Sequence, residues 1–126
     1  MADLPNVNMD EINKIKEIAS SGSDGPVMML NLNRYVPEAG YPDGDLYKEY
    51  IAIVAKAVGE VGGKILWQTP VRGHVVGNQD FHETLGVWFP THQAFLNLSA
   101  NRYSEENMRL RSLAIEAANL LRCEAF

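Results

Sequence analysis

The sequence predicts an α+β domain: one four-stranded sheet in βαββαβ order, helices on one face only, and an additional helix in front. Three observations predict it. Stretches with two-residue alternation flank two stretches with helical periodicity, and a short apolar segment at the C-terminus supplies a fourth strand. The chain has 126 residues, the length of one domain that buries a core without staples. Its single cysteine, Cys123, rules out a disulfide framework within one chain.

Asn8-Met9-Asp10-Glu11 has the spacing of a capping box, and Ile12, Ile15, Ile18 and Ala19 follow at helical intervals. Residues 1–25 therefore read as a helical extension packed on the outside of a domain spanning 26–126. Val27 to Tyr35 is the first strand. Met28, Leu30 and Leu32 share one face, expected against the core, and Met29, Asn31 and Asn33 share the other, expected to be uncovered. Val36 to Gly44 is a loop with two prolines and two glycines, placed to act as a lid.

Leu46 to Val61 is the clearest helix, with Tyr47, Tyr50, Ile51, Val54, Val58 and Val61 in one stripe. Asp43 or Asp45 is expected to cap it, and Gly62-Gly63 to stop it. Lys64 to Gln68 is a strand, and Val71 to Val76 extends it or forms another beyond Pro70. His82 to Phe89 alternates again, with Leu85, Val87 and Phe89 opposite Thr84, Gly86 and Trp88. Pro90-Thr91 starts a short helix. A longer one runs from about Ser104 to Asn119, with Leu110, Leu113, Ala114 and Ala117 together, and Leu120 to Phe126 closes the sheet. This order defines a ferredoxin-like fold. Its second sheet face, carrying Met29, Trp88 and Trp67, is too apolar for water, so a homodimer is expected to cover it.

Several segments carry a resemblance. Pro26 to Leu32, Tyr47-x-x-Tyr50, Gly62-Gly63-Lys64-Ile65-Leu66-Trp67, Val87-Trp88-Phe89-Pro90, and Ser99 followed by Tyr103 and Arg111 resemble a bacterial domain-of-unknown-function family. That family falls in the dimeric α/β-barrel superfamily, with the antibiotic-biosynthesis monooxygenases, muconolactone isomerases and haem-degrading monooxygenases. The resemblance covers about residues 26–126. It implies the fold and the dimer and leaves the activity open. Haem-degrading relatives resemble one another in a Trp-x-x-Ser pattern with an iron-binding His seven residues after the Ser. With Ser99 on that Ser, Leu96 stands at the Trp and Glu106 at the His, so no haem is expected, and no other cofactor.

Composition bounds the function. A net charge of −5 disfavours nucleic acid as the main partner, because phosphates need a basic face. Met1 to Asn8 has neither the basic nor the apolar region of a signal peptide, and no apolar run has the length of a membrane span, so a cytoplasmic, membrane-free protein is expected. The three histidines lack metal-ligand spacing. Two functional readings remain: a small-molecule-binding barrel or cofactor-free, monooxygenase- or isomerase-like enzyme for a carbonyl-bearing metabolite, and a non-catalytic dimeric module for sensing or protein interaction.

Candidate site residues follow from side-chain chemistry. Asn31 and Asn33 offer amides that bind a carbonyl or hydroxyl. Trp88 and Trp67 offer flat surfaces for stacking, or a dimer interface. Arg72 and His74 would share a strand face and hold an anion, with His74 as acid or base, or form a surface pair. Tyr103 and Arg111, about two helical turns apart, match family positions; Arg111 reaches either a carboxylate of a ligand or a neighbouring acid. His82 and His92 are expected to be exposed, and Cys123 buried and inert.

Overall fold

A computed structural model describes residues 7–125. Most of the Met1 to Asn8 segment, and Phe126, lie outside the described residues. The elements are α1 (Met9–Ser20), β1 (Val27–Tyr35), α2 (Asp45–Glu60), β2 (Lys64–Pro70), β3 (Glu83–Phe89), α3 (His92–Leu96), α4 (Ser104–Ala114) and β4 (Ile115–Glu124). Short 3₁₀ turns sit at Pro37–Ala39 and Asn97–Ser99. All four strands are antiparallel to their neighbours, in the order β2-β3-β1-β4. Among the described residues no helix is long and apolar enough to cross a membrane.

Side-chain alternation sorts the two sheet faces. Val27, Met29, Leu85, Val87 and Phe89 pack with Ile15 of α1, Val58 of α2 and Ala94 of α3. Tyr35 packs with Tyr47 and Tyr50 of α2 and with Leu110 and Ala114 of α4 in a second cluster. The helix-covered face of β1 is thus the one carrying Met29, Asn31 and Asn33, the reverse of the expectation. Met28, Leu30 and Leu32 lie on the open face, opposite Trp88, Gly86 and Thr84 on β3. The rule that the more apolar face is the core fails because both faces of this central strand are apolar. The amides are tolerated inside because Asn33 has a hydrogen-bonding partner there, the Tyr35 hydroxyl.

The bulge in β2 settles Trp67. Register shifts between Ile65 and Trp67, so Ile65 stays on the helix face and Trp67 turns to the open one. Its indole lies over Gly86, where an added Cβ would come within 2.4 Å of the ring. Gly86 is therefore a glycine because the tryptophan occupies the space its side chain would need.

Several boundaries differ from the sequence reading. Helix α4 ends at Ala114, not Asn119, because β1 is nine residues long and its edge is filled by β4 from Ile115 onward. Ala117 accordingly lies in the strand, and Leu113 is half exposed. No strand forms over residues 71–76. Pro70 has no N–H to donate, and only Val71 N–H continues the ladder, to His82 O at 2.8 Å. Neither Asp43 nor Asp45 caps α2. The N-cap is Gly44, whose Cα side faces Ala39 O so closely that a Cβ would stand 2.4 Å from it. Asn8 does cap α1, accepting from Asp10 N and Glu11 N. Glu11, instead of closing the box, pairs with Arg122 on β4. His92 is buried, not exposed. It tethers α3 to the linker before β1 through Asp24, which accepts from the ring Nδ1 at 3.0 Å and from His92 N at 2.8 Å.

Candidate functional site

The most unusual chemistry lies at one end of the helix-covered face. Glu83 opens β3 directly opposite Asn33 of β1. Its side chain points between sheet and helices and is 2% exposed. A carboxyl group in such a place requires donors, and three arrive from three elements. Tyr35 of β1 donates to Oε1 at 2.6 Å, Tyr47 of α2 to Oε2 at 2.5 Å, and Gln68 of β2 to Oε2 at 3.2 Å. Gln68 Nε2 also donates to Tyr47 Oη at 2.9 Å, and Asn33 Nδ2 to Tyr35 Oη at 3.3 Å. Among the described residues no Lys, Arg or His forms an ion pair with Glu83. Asn33 Oδ1 is buried and without a hydrogen-bonding partner.

The loop after β1 covers this cluster with Tyr41, which precedes a cis Tyr41–Pro42 peptide. The Tyr41 ring stacks on Tyr35 at 5.1 Å and meets Tyr47 edge-on at 4.7 Å. His82 lies nearly parallel to Tyr41 at 5.8 Å, and its Nδ1 accepts from Tyr35 N–H at 3.0 Å. That bond makes Nδ1 an acceptor, and Arg34 Nη1 stands 3.4 Å from Nε2. His82 is thus half-buried and engaged, not exposed as the sequence suggested.

The phenols here are held as acids that do not release their protons. Burial raises Tyr35 far above the ordinary phenol range, and the bond to Glu83 and its charge add to the effect. Tyr47 is raised by the same causes in the same order. Burial also raises Tyr50, against the opposing influence of Arg111, whose Nη1 donates to Tyr50 Oη at 3.2 Å. The tyrosines therefore serve as donors and not as bases.

The residues singled out in the sequence divide between this site and the rest of the molecule. Asn33 and Arg111 belong to it or border it. Asn31 is on the same face, with its amide turned to Met29 O of its own strand at 3.3 Å. Arg72 is exposed, near enough to Tyr41 for its charge to act on that phenol. Trp67 and Trp88 lie on the open face, away from Glu83, and Lys64 stands 5.6 Å over the Trp88 ring. His74 is exposed in the 71–82 connection, its Nε2 against Gln79 O, beside an open cleft of about 410 Å³ lined by Leu32, Val71 and Phe81 among others. It shares no strand face with Arg72, since no strand forms there. Tyr103 sits before α4 beneath Arg102, about 12 Å of helix rise from Arg111, so the two are not brought together. Glu83, Tyr35, Tyr47, Gln68 and Tyr41 escaped the sequence reading. The available signal was Glu83 itself, an acid opening a strand whose alternation places it on the Leu85-Val87 face.

No known family profile and no curated protein matches the chain by sequence. Solved structures resemble it in fold. A protein of unknown function from Rhodopseudomonas palustris is 22% identical, covers 99% of this chain and 98% of its own, and superposes with a TM-score of 0.77. A DABB family protein with a ferredoxin-like fold from Mesorhizobium loti is 12% identical, with coverage of 81% and 98% and a TM-score of 0.59. A dimeric protein of unknown function with a ferredoxin-like fold from Bacteroides fragilis is 9% identical, with coverage of 80% and 97% and a TM-score of 0.51. Together with the strand order, these likenesses define the class: the chain has the ferredoxin-like α+β fold.

Proposed function

We propose that this protein is a small-molecule-binding homodimer whose ligand, a carbonyl-bearing metabolite, seats at the mouth above Glu83. The observation that carries the reading is a buried carboxyl held only by neutral donors, opposite an amide oxygen with no partner. Polar groups buried in that state carry a cost unless something else completes their bonding. Two side chains border the cluster outside the sheet core: Gln68 is exposed, and Tyr41 lies on the β1–α2 loop. A donor for a carbonyl oxygen stands outside the cluster on Arg72, which is exposed and near enough to Tyr41 for its charge to act on that phenol. The kinship with cofactor-free monooxygenases and isomerases implied by the sequence resemblance favours the same substrate class. The dimer is supported by the open sheet face, where Leu30, Leu32, Trp67, Trp88 and Leu121 form a partly exposed apolar surface that, among the described residues, no helix covers.

The test is a thermal-shift titration with small keto acids, diketones and lactones on wild type, Asn33→Ala and Tyr47→Phe. A ligand that binds only the folded state raises Tm with concentration. The expected result is a set of hits weakened in both variants. Hits indifferent to both substitutions, or none, would refute the assignment.

A further inference from the structure

We infer that the part of the ligand reaching Glu83 is a cationic nitrogen, a primary ammonium or a similar N–H donor, which takes the place now held by the Gln68 carboxamide. The inference rests on the binding reading above and names the chemistry of one end of that ligand. Four observations converge on it. The deep part of the site offers acceptors, Glu83 Oε2 and the orphaned Asn33 Oδ1, and among the described residues no cation answers them. Arg111 is engaged with Tyr50, and Arg72 stands outside at the rim.

Aromatic side chains border the acid. Tyr35 and Tyr47 reach it through their hydroxyls, and the Tyr41 ring packs on both, so an ammonium there would meet the carboxyl away from bulk water. Gln68 Nε2 already occupies a donor position 3.2 Å from Glu83 Oε2 and 2.9 Å from Tyr47 Oη. An ammonium nitrogen there reproduces both bonds and makes the one to Glu83 charge-assisted. Gln68 is exposed on the edge strand β2, so its carboxamide leaves toward solvent without breaking the ladder. Electrostatics agree: the Glu83 charge contributes to raising all four phenols, Tyr35, Tyr41, Tyr47 and Tyr50.

A ligand with an ammonium at Glu83 and a carbonyl or carboxylate toward Arg72 satisfies both ends of the mouth. This class differs from plain carbonyl compounds and separates the two readings experimentally.

The probe is butylammonium chloride, titrated against the intact protein by thermal shift, with sodium butyrate and sodium chloride at matched ionic strength. The expected result is a saturable rise in Tm with butylammonium alone. Gln68→Ala, which removes the competing amide at an exposed position, should lower the half-saturating concentration several-fold. Gln68→Lys, which tethers an ammonium beside Glu83, should raise Tm without any additive and abolish the butylammonium response. A wild type that does not respond, or a Gln68→Lys variant that responds like wild type, overturns the inference. If carbonyl compounds still bind in an Asn33- and Tyr47-dependent way while butylammonium fails, the cationic end is wrong and the binding site stands. If neither probe binds, both readings fall.

Discussion

Asn33 and Glu83 occupy partner positions across the two central strands, and each has its polar end inside the protein. One is answered by tyrosine hydroxyls at both oxygens; the other leaves its carbonyl oxygen unanswered. This pair brings an acid, an amide and two phenols to the point where α2 and the β1–α2 loop close over the sheet.

The Tyr47 hydroxyl bridges Glu83 and Gln68, so Tyr47→Phe removes the shorter of the two bonds to Glu83 Oε2 and leaves that buried oxygen with Gln68 alone. The expected cost is about 1–3 kcal/mol, read by urea denaturation. Unchanged stability would mean that the hydroxyl bonds are not formed in solution.

Gly86→Ala pushes a methyl into the indole of Trp67. Overpacking of this kind costs about 1–3 kcal/mol. The same variant should change Trp67 fluorescence, since the ring must move off the sheet. A stable variant with unaltered fluorescence would place the indole elsewhere.

Two pH effects have opposite signs. Burial pushes the Asp24 carboxyl up, but hydrogen bonds from His92 N, Gln93 N, the His92 ring and Gly25 N outweigh it and hold the carboxyl below its ordinary 3.8. Its folded value is depressed, so its contribution is present above that ordinary value and lost as pH falls through the lowered one. The Tm difference between wild type and Asp24→Asn should therefore hold steady from neutral pH to about 4 and shrink below it. The buried phenols behave in the reverse sense. Their folded values are raised, so their stabilisation is complete below the ordinary phenol value of 10.0 and is lost as pH rises above it. Ultraviolet titration should show Tyr35, Tyr47 and Tyr50 ionising only together with unfolding.

The open face makes a separate prediction. Trp88→Glu places a charge opposite Met28 in the apolar patch. Sedimentation velocity should find wild type as a dimer and the variant as a monomer with its circular dichroism intact. A monomeric wild type would remove the dimer.

Much of the fold was legible because its signals are local. Periodicity marked α1 and α2, glycines marked the end of α2, and alternation marked β1 and β3. The helix-to-strand switch at Ala114 was hidden because Leu110, Ala114 and Ala117 keep a helical interval, while pairing with β1 decides the conformation. The facing of β1 was hidden because two amides mark a wet face only when no partner is available inside. Asn33 and Arg111 could be picked out by residue type. Alternation alone places Glu83 on the Leu85-Val87 face, but its surroundings were hidden, because its donors Tyr35, Tyr47 and Gln68 come from separate elements that only the tertiary fold assembles.

The most direct measurement follows the Glu83 carboxyl itself. In protein labelled with carbon-13 at glutamate side chains, the Glu83 resonance is assigned by its loss in Glu83→Gln and followed while a thermal-shift hit is added. The expected result is a saturable displacement of that one buried resonance, with the same half-point as the Tm response. A resonance that stays fixed while Tm rises would show that the ligand binds elsewhere and that Glu83 only ties the fold together.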